Sequence, residues 1–471
     1  MVAAALLAGA LAAAPAYAAV AQTFVAPAPN PSSTSKVYHG KNNGTIQNSP
    51  VVNGTSFDRF IQIWLENTDF ATAASSPVFQ NLSKNGLLLD AYHGNTHPSE
   101  PNYAVASMGD FFGMHNDEYY AFPKNVSTYV DLLDQKNISW ASYQENMPWD
   151  GFTGFNYTQP NYVNPSAGNY TYYVRKHNPL ILADSVAGVP ERALRIRTFD
   201  DFAVDVNASA LPQHVYITPN LVNDAHDTNI DFTSSWLEYF LVPLLQDEKF
   251  NNNRTLILLT FDEAEQYSHQ NRVYSILLGG ALPQNLTGQT DSTYYTHCST
   301  LSTVEANWGL GSLGRCDTNK TLANVFDFVA NATGYQNNGL TGNSSGIPMT
   351  NLTGVFPGPA NSEMWTPVLA PNVSAVGAGG GPVFIPAGLN TSLTSWKPQN
   401  LTAMGVKNPI QIDPGYNYAS GNLTMKSGSS GSATASGVVA AATGSKTSGA
   451  GSLVAPASGV LAVAAGVAML F

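Results

Sequence analysis

Six short hydrophobic runs frame this chain: 60–65 (FIQIWL), 87–89 (LLL), 138–143 (ISWASY), 214–218 (HVYIT), 255–261 (TLILLTF) and 273–278 (VYSILL). Each is too brief to span a membrane, and most are rich in β-branched or aromatic residues, so they read as strands. Helical patterns alternate with them at 128–135, 235–247 and 300–308. Ser127 and Ser299 are expected to cap the first and last of these, and Pro243 to bend the middle one. Strands alternating with helices call for an α/β sheet rather than a β-sandwich. No internal repeat is visible. From about Gly354 onward Pro, Gly, Ser and Asn dominate, which predicts a catalytic domain over 19–353 followed by an irregular, glycosylated region over 354–426.

Charged residues make up 11% of the chain, against about 25% in ordinary soluble domains. Another hydrophilic coat is needed, and eighteen Asn-X-Ser/Thr triplets, from Asn43 to Asn422, provide for N-glycans on an exported protein. The formal charge of −12, with no Lys/Arg cluster, argues against nucleic acid and against a polybasic membrane patch. Residues 1–18 form an apolar run closing in Ala16-Tyr17-Ala18, the pattern of a cleaved signal peptide. At the other end a Ser/Gly-rich linker over 427–452 precedes an uncharged apolar tail over 453–471, the pattern of a GPI-attachment signal. The expected location is therefore extracellular, at the cell surface or wall, with membrane contact only through the lipid anchor. In that oxidising setting Cys298 and Cys316 are expected to form one disulfide.

Chemistry in an α/β fold gathers just past the carboxyl ends of the strands, where loops meet over one crevice. The run 60–65 leads into Glu66-Asn67, 214–218 into Pro219-Asn220 and on to Asp224-Ala225-His226-Asp227, and 255–261 into Asp262-Glu263. The run 87–89 leads by a loop to Thr96-His97-Pro98-Ser99-Glu100-Pro101-Asn102-Tyr103, and His297 precedes the last helical pattern. Carboxylates, imidazoles and a hydroxyl together are the ligand set of a hard or borderline divalent ion. Pro101 in a first helical turn puts Ser99 at a helix N-terminus, where an anion is favoured. Taken alone, that serine is no more than a helix cap. Glu100 is expected to be solvated, His214 to be a packed sheet residue, and His177 and His269 have no positional argument.

The motifs in this order resemble the phosphoesterase family of fungal secreted acid phosphatases over roughly residues 57–335. That family is related to bacterial acid phosphatases and phosphatidylcholine-type phospholipase C enzymes within the alkaline phosphatase superfamily. The resemblance implies a three-layer sandwich around a mostly parallel sheet. It implies hydrolysis of phosphomonoesters through a transiently phosphorylated Ser99, with Asn102 and His97 near the substrate. Glu66, Asn67, Asp262 and Glu263 would hold a divalent metal. Asp224, His226 and His297 would form the opposite side, binding a second metal or protonating the leaving oxygen. Related nucleotide phosphodiesterases and alkaline phosphatases have Asp-His where this chain has Asp262-Glu263, and Asp where it has Glu66 and Asn220. That carboxylate-rich set shifts preference from zinc toward calcium, magnesium or manganese, and gives a protonated His more to do as general acid, hence an acidic optimum. The competing readings are a phospholipase C-like phosphodiesterase and a non-catalytic cell-wall glycoprotein.

Overall fold

The computed structural model describes residues 50–405 apart from 268–269, 343, 345–346 and 349–354, with the backbone of a two-residue ladder at 416–417 and 422–423. The expected signal segment, the Ser/Gly linker and the apolar tail lie outside the described residues. The strands are β1 (Arg59–Leu65), β2 (Leu87–His93), β3 (Trp140–Gln144), β4 (Asn156–Pro160), β5 (Asn169–Val174), β6 (Ile196–Thr198), β7 (His214–Thr218), β8 (Thr255–Phe261), β9 (Arg272–Leu278), β10 (Gln289–Asp291) and β11 (Tyr295–Thr296). The α-helices are α1 (Phe70–Ser75), α2 (Pro77–Lys84), α3 (Ser99–Met108), α4 (Tyr129–Gln135), α5 (Pro190–Ala193), α6 (Phe199–Asn207), α7 (Ile230–Leu244), α8 (His297–Trp308) and α9 (Asp327–Thr333). None of these helices is long and apolar enough to cross a membrane.

Nine strands form one sheet in the order β10-β2-β9-β8-β1-β7-β3-β6, with β11 beside β2, while β4 and β5 pair separately as a hairpin. Only β9 runs against its neighbours, so the sheet is mostly parallel. The central strands β7 and β8 are buried along their whole length, and β1 in all but its first residue, as a sheet covered on both faces requires. The crossovers β1 to β2, β6 to β7 and β7 to β8 step one way along the sheet, whereas β2 to β3 steps the other. Right-handed connections therefore place their helices on opposite faces. On one face Phe199 and Phe202 of α6 pack on Phe240 of α7, and Ser76 ahead of α2 shares a 2.7 Å hydrogen bond with Ser234 of α7. On the other, α3, α8 and α9 pack together. The result is the expected three-layer α/β sandwich.

Element ends shift where local polar chemistry interrupts the apolar pattern. The run at 87–89 continues to His93 past Asp90, across a register shift between Leu89 and Tyr92. Thr128 rather than Ser127 caps α4, by a capping box in which the Thr128 N–H donates to Asp131. Thr296 caps α8, so Ser299 serves as the third residue of that box. The middle helix begins at Ile230 because Asn229 accepts from the N–H groups of Asp231 and Phe232, and Pro243 falls in its last turn.

Cys298 and Cys316 form a disulfide, with Cα atoms 5.7 Å apart. Residues 355–405 contain no helix and only isolated bridges, but they lie against the domain as a strap. Ser312 bridges to Val383, the Asn361 amide donates to the Gly113 carbonyl at 3.1 Å, and the Ala378 N–H donates to Glu305 at 3.3 Å. The strap crosses the loop after α3 at Gly358, where an added Cβ would lie 1.9 Å from the Phe112 carbonyl oxygen. Only glycine permits that approach. Gly358→Ala is expected to lower Tm by about 5 °C or more and to open the strap to limited proteolysis. An unchanged melting curve and digestion pattern would show that the crossing is not needed.

Candidate active site

Three adjacent strands deliver the acids. β1 ends at Leu65 beside Phe261 at the end of β8, so the next residues, Glu66 and Asp262, emerge side by side. The Asp262 N–H donates to the Leu65 carbonyl at 3.0 Å, and the Glu66 N–H donates to the Asp224 carbonyl at 2.8 Å, which ties the loop after β7 to the same edge. Glu66, Asp224, Asp262 and Glu263 are all buried. One Asp262 oxygen accepts from the Glu263 N–H at 2.7 Å. The other, like Oδ2 of Asp224, has no hydrogen-bond partner.

Ser99 arrives from the opposite layer as the first residue of α3, after a cis His97-Pro98 bond. Its hydroxyl donates to Glu66 at 2.9 Å and lies 3.4 Å from Glu263. Asn102, one turn on, shapes the approach loop: its oxygen accepts from the N–H groups of Asn95 and Thr96 at 2.9 and 3.0 Å, and its amide donates to the Thr96 carbonyl at 2.8 Å. The same amide lies 3.4 Å from Glu263. The Tyr103 hydroxyl donates to the second Glu66 oxygen. Nδ1 of His97 stands 2.7 Å from Glu263, and its ring stacks on Tyr267.

The far side is built by the turn Arg175–His177 and the loop after β7. The His177 Nε2 lies 3.2 Å from Glu66 and its Nδ1 lies 3.6 Å from Asp224, while Glu66, His177 and His226 converge within 4.8 Å of one another. His226 is fixed by its N–H to Asp224 at 2.8 Å and by Nδ1 against Asp227 at 2.7 Å. Its Nε2 faces the Lys176 ammonium at 3.2 Å.

Burial, then mutual repulsion, drives the acids' proton affinities. Asp224, Asp262 and Glu263 are held well above the ordinary carboxylate range, with Glu66 among the repelling charges on each. Glu66 is raised by burial, against pulls from Lys176 and His226. His177 is pushed well below its usual value by burial, and burial brings His97 to about 4.

The structure thus brings Glu66, Ser99, Asn102, His97, Asp224, His226, Asp262 and Glu263 to one edge of the sheet. Asn67 follows Glu66 and is half-buried. His297 stands apart: its Nε2 meets the Asp262 carbonyl at 2.5 Å, its Nδ1 meets the Tyr92 hydroxyl at 3.2 Å, and its ring lies on Trp64. With both nitrogens engaged and burial holding its pKa at about 3, it steadies the Asp262 backbone. Glu100 is not solvated. It is fully buried, both carboxylate oxygens lack partners, and burial holds its pKa well above the usual range. His214 is the packed sheet residue expected of it. His177, Lys176 and Asp117 were not legible as site residues, because they sit on loops whose approach to the strand ends is set by tertiary packing. His269 lies outside the described residues.

Whether these side chains suit a cation can be judged from what they lack. Four buried carboxylates crowd one space, and two of their oxygens have no hydrogen-bond partner. Buried anions require compensation, and oxygen donors with one or two imidazoles fit a divalent ion. The site fits a metal.

Asn102→Ala removes the acceptor of two buried N–H groups, at about 1–3 kcal/mol each. The expected loss is about 2–6 kcal/mol of stability in denaturant unfolding, with Ser99→Ala as a control that loses less. Equal stability of the two variants would show that the loop does not depend on the amide.

The Phosphoesterase family pattern matches residues 18–311. An acid phosphatase of Aspergillus fumigatus is 49% identical over 319 residues, covering 67% of each chain. The phosphate-repressible acid phosphatase of Penicillium chrysogenum is 50% identical over 291 residues, 61% of this chain and 68% of that one. A phosphatidylinositol-3-phosphatase of Mycobacterium tuberculosis is 29% identical over 243 residues, 51% of this chain and 72% of that one. With the family pattern running from ahead of β1 into the residues after α8, and the serine and acids assembled as described, this chain belongs to the phosphoesterase family.

Proposed function

We propose that this protein is a secreted acid phosphatase that hydrolyses phosphomonoesters by way of a phosphoserine at Ser99. The observation that carries the reading is the Ser99 hydroxyl, 2.9 Å from Glu66 and 3.4 Å from Glu263, at a helix start inside a buried carboxylate cluster. The relatives' names, acid phosphatase in Aspergillus and Penicillium, support the substrate class.

In the first half-reaction Ser99 Oγ attacks phosphorus and its proton passes to a neighbouring carboxylate, Glu66 being the nearer. The bond from phosphorus to the ester oxygen breaks, and the departing alkoxide takes a proton from the His226 side, where the imidazole is held by Asp227. Water then attacks the phosphoserine, inorganic phosphate leaves, and Ser99 recovers its proton. His97 braces Glu263, and Asn102 holds the loop that aims Ser99.

Glu66, Asn67, Asp262 and Glu263 would hold a divalent ion near Ser99, and Asp224 and His177 would complete the cation-binding side. When bound, such an ion supplies Lewis-acid stabilisation of charge at phosphorus and lowers the proton affinity of the serine hydroxyl. The oxygen-rich donors favour calcium, magnesium or manganese, while the His177 imidazole also suits zinc.

An extracellular setting accords with exposed asparagines at the sequons of Asn53, Asn81, Asn137, Asn253, Asn331 and Asn372. N-glycans there would supply the hydrophilic surface the charge-poor chain lacks. A signal peptide over 1–18 and GPI attachment within 427–452 complete the reading.

Ser99→Ala is expected to lower kcat on p-nitrophenyl phosphate by about 1,000-fold or more, and acid quenching should trap a phosphorylated wild-type chain but no phosphorylated variant. Wild-type turnover by Ser99→Ala would remove the covalent route.

Cation dependence has a definite sign. Asp224, Asp262 and Glu263 bind their protons more tightly in the fold than in the unfolded chain. The metal-free fold is therefore favoured in acid and loses stability as pH rises above the ordinary carboxylate pKa of about 4. Chelation is expected to lower Tm by about 5–10 °C near pH 7 and by little near pH 4, with recovery on adding back a divalent ion. Equal shifts at both pH values would count against cation binding by these acids.

A further inference from the structure

Lys176 has no part in the reaction as described, yet its ammonium stands at the mouth of the carboxylate cluster. It donates to Asp117 at 3.0 Å and faces Nε2 of His226 at 3.2 Å, and its side chain keeps 16% of its exposure. The other oxygen of Asp117 accepts from the N–H of Glu100 at 3.0 Å, and Glu100 is the residue beside Ser99. One carboxylate therefore bridges an ammonium and the N–H next to the serine, the two kinds of donor that a phosphoryl group uses. The neighbouring Arg175 is not available in this way, because its guanidinium is spent on the carbonyls of Tyr120, Thr153 and Ile181. The charge of Lys176 also acts on Glu66, Asp224 and Glu263.

We infer that Lys176 is a substrate-binding residue that takes a non-bridging phosphate oxygen and selects phosphomonoesters over diesters. The inference rests on the phosphomonoesterase reading and adds the residue that sets the preference. Asp117 holds the ammonium in place, and an arriving phosphate oxygen replaces it as the partner. A monoester keeps a third unsubstituted oxygen for this ammonium to meet, fully negative above its second pKa of about 6, whereas a diester carries an uncharged ester arm in its stead.

The test compares kcat/KM for p-nitrophenyl phosphate and bis-p-nitrophenyl phosphate in the same preparation of wild type and Lys176→Met. Their ratio does not depend on the fraction of folded enzyme, and Lys176→Gln serves if the Met variant yields no folded protein. The monoester value is expected to fall about 10- to 100-fold, the range for one lost charge-assisted contact, while the diester value falls less than about threefold. KM and the inhibition constant of inorganic phosphate should rise with the loss. Equal falls on both substrates, or an unchanged ratio, would overturn the assignment. If wild type turns over neither ester, the phosphatase reading fails on its own. Calorimetric titration of inorganic phosphate into wild type and variant then still decides the role of Lys176, with undiminished binding by the variant as the adverse result.

Discussion

Four carboxylates that must share one buried space govern this molecule. Glu66, Asp224, Asp262 and Glu263 are each removed from water, and bringing such groups together costs far more than surface acids cost. A fold tolerates this only where the backbone leaves no alternative position. Here the register of β1 with β8 and the hydrogen bonds from Glu66 to Asp224 and from Asp262 to Leu65 fix three of the acids at neighbouring strand ends. The central strands are buried along their whole length, so sliding one of them to relieve the repulsion would disrupt a core that runs through the whole sheet. Core burial in effect holds the acids in their repulsive arrangement, ready for a cation.

The parts of this arrangement readable in the sequence are those written in a periodic pattern. FIQIWL and TLILLTF read as strands because each is a short, mostly apolar run, and the acid after each run follows directly from where the strand stops. Ser99 could be placed at a helix start from Pro101. The Lys176 and His177 pair could not, because the turn Arg175–His177 follows the hairpin β4–β5, and its swing onto the sheet edge depends on Arg175 binding the carbonyls of Tyr120 and Ile181. No local pattern records such long-range contacts. Glu100 misled for a related reason: a charged residue in a first helical turn ordinarily meets water, yet the loop carrying Asp117 covers this one.

His297 shows how a motif can be visible while its role is not. Its place before a helix was plain, but a ring clasped between Tyr92 and the Asp262 carbonyl over Trp64 has no nitrogen left to offer a substrate. Its contribution is mechanical. It holds the backbone of an acid whose second oxygen must stay unpartnered, and such support is what keeps a ligand set in position before anything binds.

The two halves of the site differ in how firmly they are held, and that difference has a consequence for what each can do. Ser99 and the acids beside it are set on strand ends, on the loop after β7 and on the first turn of α3, and every one of them is buried. The groups at the mouth are on loops and keep contact with solvent: Asp117 at 26% and Tyr267 at 46% exposure. Reaction geometry demands placement to a fraction of an ångström, which rigid elements give. Recognition of a leaving group of variable shape is served better by side chains that can adjust. Substitutions at the strand ends should therefore act on turnover and stability together, whereas those at the mouth should act first on substrate affinity.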